Sequence, residues 1–269
     1  MTDVRRTLLG GIIDYAGLFP PAALDVPGAV AGFERARAHP HGWLVDRFVA
    51  PAAKAEPVGI SAGFVEAPWR VALVLDVLEL RSAAEAIGRV GEALRVDVVE
   101  LRPLPADQLA GALGAASAVF PDATAYAEVR PGDDEAVAAL GAAGGRAKLR
   151  CGGERVPSPE EVAATLRACA EHGVPLKGTA GLHHPVAAEG RHGFLNLLAA
   201  AALGGELDAV RETDAAAFAL GASGFAWRGQ TIDAGLARER FTGFGSCSFE
   251  EPVEDLVALG VLEPAGSLA

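Results

Sequence analysis

Eight short runs rich in apolar and β-branched residues, separated by segments with helical periodicity, constrain this chain more than any other feature. The runs are GGIIDYA, WLVDRFVA, RVALVLDV, VDVVELR, TAYAEVR, GRAKLR, PLKGTA and FTGFGSC. Strand–helix alternation sustained from end to end is the pattern of parallel βα units, and eight such units close a barrel. The helices between them carry their own start and stop signals. In SPEEVAATLRACAEHG, Ser158 and Glu161 form a capping-box pair and Pro159 takes the first helical position. Val162, Leu166 and Cys169 make an apolar stripe there, and Gly173 ends the helix. We therefore expect an α/β fold, a (β/α)8 TIM barrel formed as a single domain over residues 1–269.

Two regions exceed a minimal barrel. Between the seventh and eighth runs lie FLNLLAAAALGG, ELDAVRETDAAAFALGAS and GFAWRGQTIDAG, roughly sixty residues where one helix would suffice. They predict an extended helical insertion of two helices with a short β excursion. The Pro- and Gly-rich linker PAAKAEPVGISAGFVEAP predicts an irregular or briefly helical connection. An open doubly wound sheet shares the same alternation, but no GxGxxG follows the first strand to hold a dinucleotide.

A net charge of -12 argues against nucleic acid or an anionic membrane surface as partner. The longest apolar run falls short of the roughly 20 residues that span a bilayer, and Asp14 interrupts the N-terminal apolar stretch, so no export signal is read. Cys151, Cys169 and Cys247 form no CxxC pair, which suggests neither a disulfide framework nor a zinc site. The expectation is a cytoplasmic protein with no metal and no cofactor. Self-association is left open.

Residues two apart on a strand share a face. On that rule VDVVELR turns Glu100 and Arg102 inward, TAYAEVR turns Glu128 and Arg130 inward, GRAKLR gives Lys148 and Arg150, and PLKGTA gives Lys177 and Thr179. Four neighbouring strands thus aim charge at one cavity near their C-terminal ends, where barrel active sites sit. A buried salt-bridge network is the bland alternative, although desolvation makes such networks poor sources of stability. Lysine usage sharpens the functional reading. Only three of the 23 basic residues are lysines, Lys54, Lys148 and Lys177. Arginine serves elsewhere, whereas a desolvated lysine amine can lose its proton and attack a carbonyl. Two adjacent lysines would depress each other's pKa.

The order RAKLRCGG, LKGTAGLHHP, FGSCSFEEP resembles deoxyribose-phosphate aldolase and related class I aldolases. That resemblance implies a TIM barrel in which Lys148 forms a Schiff base and Lys177 tunes it. It also implies that the Gly-Ser turn at Gly245, Ser246 and Ser248 takes a substrate phosphate, and that Asp14 fills an acidic position on the first strand. The chain differs in having Leu149, Arg150 and Cys151 where the family has small hydroxyl residues, and in the HHP ending.

Other residues complete the expected site. Backbone N–H groups ahead of EEPVEDLVALG attract anions, while the same stretch reads equally as a Ser-capped helix with Glu250 and Glu251 in its first turn. His183 and His184 follow the seventh strand; adjacent residues seldom direct both rings at one ion, so substrate contact or acid/base work is favoured over zinc. Cys247 alternates outward and Cys151 borders the site. Tyr15, Phe19 and Pro20 form an apolar wall or lid, and Asp76 is a further acid/base candidate. The expected activity is an aldolase-like lyase acting on a small anionic carbonyl substrate, phosphorylated or carboxylated. Lys148 is the nucleophile, Asp14, Glu100 or Glu128 moves protons, and Arg102, Arg130 and Arg150 hold the anion. The alternatives are an isomerase or hydrolase whose lysines stay charged, with His183 or His184 as base, and a non-catalytic barrel that binds an anionic metabolite.

Overall fold

A computed structural model describes residues 3–63 and 67–267 of the chain. Each of the eight runs forms a barrel strand: β1 (Ile13–Tyr15), β2 (Val45–Pro51), β3 (Trp69–Leu75), β4 (Leu94–Leu101), β5 (Thr124–Val129), β6 (Arg146–Arg150), β7 (Leu176–Thr179) and, after the insertion, β11 (Phe241–Ser246). They close in the order β1-β2-β3-β4-β5-β6-β7-β11, all parallel. A short helix α1 (Val4–Leu9) precedes β1. The crossovers are α2 (Val26–Ala38), α3 (Ala55–Ala62), α4 (Leu80–Val90), α5 (Ala106–Val119), α6 (Asp134–Ala142) and α7 (Pro159–Glu171). The capping box read at Ser158 and Glu161 starts α7. Within its described part the linker after β2 holds the brief helix that was one of the two expectations for it, because Ala55, Val58, Gly59 and Ala62 bury one side of α3; residues 64–66 of the linker lie outside the described residues.

The insertion carries α8 (Phe194–Ala202), α9 (Leu207–Arg211), an antiparallel sheet of β8 (Phe218–Gly221), β9 (Gly224–Trp227) and β10 (Gln230–Ile232), and α10 (Ala234–Arg240). There are three helices where two were expected. Arg228 and Gly229, both at positive φ, make the tight turn between β9 and β10. Helix α11 (Glu250–Ala258) follows β11, and a 3-10 turn at Ala265–Ser267 comes after it. No described helix is long and apolar enough to cross a membrane.

Strand alternation divides the core in two. Outward residues such as Val99, Leu101, Ala127, Leu149 and Leu176 join the large cluster under the helices, whereas Val49, Ala72, Val98 and Tyr126 form a separate apolar layer inside the barrel. That inner layer comes from β2 to β5. The opposite half of the interior is charged.

Strand β11 breaks the alternation. Two of its residues face one on β7 between Phe241 and Gly243, and Gly243 adopts φ 149° with no room for a Cβ, which would stand 2.7 Å from the Ile12 carbonyl oxygen. Such a bulge exchanges inward and outward positions downstream. Thr242 therefore faces inward, where its hydroxyl meets Tyr126 Oη at 2.9 Å, and Gly245 and Cys247 face inward three and five residues later. The outward assignment of Cys247 is corrected by this one residue.

Candidate active site

The C-terminal mouth of the barrel opens into a cavity of about 660 Å3. Glu100, Glu128 and Lys148 form its charged floor, Phe19, Pro20, Pro21, Val49 and Val74 its apolar wall, and Arg102, Arg150, Thr179, His183, Gly245 and Cys247 its remaining sides. A second depression of about 590 Å3, between α8 and the β8–β10 sheet, has no ionisable side chain in its lining. Of these two cavities, only the barrel mouth brings ionisable side chains together.

Five charges from five strands meet inside. Lys177 Nζ donates to both Asp14 of β1 and Glu100 of β4. Lys148 Nζ lies 3.4 Å from the other Glu100 oxygen and 3.0 Å from Glu128 of β5. Glu100 thus stands between the two ammonium groups. Both lysines are 3% exposed, yet only Lys148 reaches the cavity lining; Lys177 lies below it, engaged on both sides. Burial disfavours the Lys177 ammonium, but the facing Asp14 and Glu100 carboxylates outweigh that and hold its pKa above the ordinary lysine value. Burial likewise disfavours the Glu100 carboxylate, and the two lysines override it, lowering its pKa to about 2. The mutual depression expected of adjacent lysines is corrected for Lys177, because carboxylates are its nearest neighbours.

The chain of charges continues to the opposite mouth. Arg47 of β2 contacts Asp14 at 3.5 Å, Asp46 at 2.6 Å and Asp97 at 3.0 Å, and Arg70 pairs with Asp46 and Asp97. None of these four was singled out in the sequence. The signal was present, since Val49 faces inward and Arg47 lies two residues before it on the same strand.

Several expected site residues stand elsewhere. Arg130 is exposed just beyond β5 and borders a neighbouring groove between the β4–α5 and β5–α6 loops, because the chain has left the strand and its alternation no longer applies. Arg102 is at the rim, 53% exposed, with Nε 3.7 Å from Asp76. Arg150 is exposed at the same rim and forms no ion pair among the described residues. His184 turns away from the cavity, its Nδ1 2.6 Å from Asp255. His183 turns toward it, with Nδ1 3.1 Å from Ser246 Oγ and 3.3 Å from Glu251, and Nε2 4.0 Å from Cys247 Sγ. Burial lowers the His183 pKa, against the pull of Glu251. Beyond the bulge Ser246 points out of the cavity, donating to the Ser248 carbonyl, and Ser248, one residue before Phe249 at the N-cap of α11, accepts from the Glu251 N–H of its first turn through Oγ at 3.2 Å. Of the two readings of that turn, helix capping is the one the hydrogen bonds realise. Tyr15 packs against Phe33 and Phe48 beneath α2, so Phe19 and Pro20 line the wall without it. Cys151 is buried, its thiol pushed up to about 12, which removes it as a reactive group at the site's edge.

No family model matches the chain, and no curated protein matches it. Among solved structures, "QR15, an Aldolase" superposes with a TM-score of 0.55 at 11% identity, over 93% of this chain and 96% of that one. A muconate cycloisomerase from Pseudomonas fluorescens superposes with a TM-score of 0.44 at 12% identity, over 84% of this chain and 63% of that one. At such identity the first likeness is one of fold alone, that of a (β/α)8 barrel, and the second is too loose to add to it.

Proposed function

We propose that this barrel is an aldolase-like lyase that makes or breaks a carbon–carbon bond of a small anionic carbonyl compound through a Schiff base on Lys148. One observation carries the reading: of the two interior lysines, Lys148 alone lines the cavity, while Lys177 is held by Asp14 and Glu100. A structural neighbour with the same fold is an aldolase, which agrees with it.

In the cleavage direction the Lys148 amine adds to the substrate carbonyl carbon and the oxygen leaves as water. Glu128, 3.0 Å from Nζ, is the base within reach for the proton transfers. A hydroxyl on the carbon β to the imine carbon then loses its proton to a carboxylate of the floor. The carbon–carbon bond breaks, its electron pair passes to the iminium nitrogen as an enamine, and an aldehyde departs. Reprotonation and hydrolysis free Lys148. Lys177 remains an ammonium throughout and fixes Glu100 as a carboxylate.

The contacts of Lys148 with two carboxylates favour a second reading, in which both lysines stay charged and stabilise an enolate while His183 acts as base. Cyanoborohydride trapping with small aldehydes and oxo acids separates the two. The first reading expects a reduced adduct on the Lys148 peptide, none on Lys177, and none anywhere in a folded Lys148→Arg variant. Turnover without any adduct, retained by Lys148→Arg, would establish the second.

A further inference from the structure

We propose that the substrate is a carboxylate-bearing aldehyde or ketone whose body, apart from the hydroxyl at the bond that breaks, is hydrocarbon, not a phosphorylated one, and that Arg150 holds its carboxylate. The proposal rests on Lys148 being the carbonyl-binding residue, and three features of the cavity carry it.

First, the turn that would receive a phosphate is filled by the chain itself. The Ser248 N–H donates to Ser246 Oγ at 3.3 Å, the Phe249 N–H to Glu250 Oε2 at 3.2 Å, and the Glu251 N–H to Ser248 Oγ at 3.2 Å. Glu250 and Glu251 add two carboxylates at the same place, so a dianion would lose hydrogen-bond donors and gain like-charge neighbours. Second, the positive charge stands across the mouth. Arg102 is drawn toward Asp76, whereas Arg150 has no carboxylate partner among the described residues. Its guanidinium lies against Gly153 of the cavity lining; a Cβ on Gly153, whose φ is +102°, would stand 3.2 Å from Nη2. A planar fork left unpaired over a cavity suits a carboxylate. Third, the wall of Phe19, Pro20, Pro21, Val49 and Val74 offers no side-chain partner for substrate hydroxyls. A sugar-like chain would bury its hydroxyls there without hydrogen bonds, at a cost of about 1–3 kcal/mol for each.

Spacing narrows the class further. Lys148 and Arg150 are one pleat repeat apart on the same face of β6, roughly 6.6 Å along the strand. The Lys148 amine reaches Glu100 and Glu128 in the buried floor while the Arg150 guanidinium lies against Gly153 at the exposed rim, so an acid whose carbonyl and carboxylate are separated by a short methylene chain suits the pair better than a 2-oxo acid, in which the two groups are adjacent.

The test is the concentration dependence of cyanoborohydride trapping on Lys148, with succinic semialdehyde, butanal, pyruvate and glycolaldehyde phosphate as probes. The expected half-saturation for succinic semialdehyde is about tenfold below that for butanal, the equivalent of about 1.4 kcal/mol, and below those of pyruvate and glycolaldehyde phosphate. In Arg150→Gln the values for succinic semialdehyde and butanal converge, and Arg150→Lys restores part of the gap. Adducts on Lys148 that show no carboxylate preference, a phosphate preference, or a preference unchanged in Arg150→Gln would overturn the proposal and leave the Schiff base standing. Calorimetry with unreactive butanoate and butyl phosphate covers the case in which no adduct forms. Arg150-dependent binding of butanoate alone would then keep the anchor and reject the Schiff base, and its absence would reject both.

Discussion

Replacing Glu100 by Gln tests the centre of the site, because the substitution keeps the shape of the side chain and removes the charge between two ammonium groups. Against the opposing effect of burial, Lys177 and Lys148 hold the Glu100 carboxyl well below the ordinary 4.5, at about 2. At 1.36 kcal/mol per unit this is about 3 kcal/mol of stabilisation, in line with the ~3–5 kcal/mol lost when one partner of a buried pair is removed. The folded-state pKa is depressed, so the stabilisation is complete above pH 4.5 and is lost as pH falls toward 2. Urea unfolding followed by circular dichroism should find Glu100→Gln about 3 kcal/mol less stable than the native chain at pH 7. The gap should narrow steadily below pH 4.5, as the unfolded chain takes up a proton that the native carboxylate does not, and close only near pH 2, where native Glu100 is itself protonated and resembles Gln. A gap that is independent of pH, or below about 1 kcal/mol at pH 7, would refute the idea that this charge holds the two lysines in place.

Three further outcomes are expected. Arg47→Met should cost about 3 kcal/mol by stranding Asp14, Asp46 and Asp97, and a second substitution, Asp97→Asn, should recover part of that loss in urea unfolding. Gly243→Ala should destabilise by more than about 2 kcal/mol, since a Cβ meets the Ile12 carbonyl oxygen at 2.7 Å in a backbone conformation that favours glycine. Iodoacetamide should modify native protein at Cys247 first, since it lines the cavity, whereas Cys151 and Cys169 are buried with thiols pushed up to about 12. Equal labelling of Cys151 in peptide mapping would contradict the packing.

Much of this architecture was legible because period-two alternation and barrel closure are local rules applied eight times. They put Glu100, Glu128, Lys148 and Lys177 on one face before any distance was known. The rules failed where local geometry ended. Arg130 lies one residue past β5 and escapes its parity. Ser246 and Cys247 follow a bulge whose cause, the approach of Gly243 to Ile12, is a contact between residues distant in sequence. The Ser248 turn was ambiguous because a capped helix and an anion site use the same residue types, and only hydrogen-bond geometry separates them.

The scarcity of lysine takes on a different meaning once the pairings are known. Lys177 must serve carboxylates from β1 and β4 on two sides of a closed interior, and a compact ammonium with rotatable donors meets that demand where a flat guanidinium fork does not. Its identity as lysine therefore follows from packing and pairing alone, without any role as a nucleophile. Lys148 is different, since it shares Glu100 with Lys177 and meets Glu128 at the floor of an open cavity, where space exists for a larger head group. At the rim just above, on the same strand, the chain does use arginine, at position 150. Geometry accounts for lysine at 177 and leaves lysine at 148 to be accounted for by chemistry, which is why the trapping experiment is decisive at Lys148.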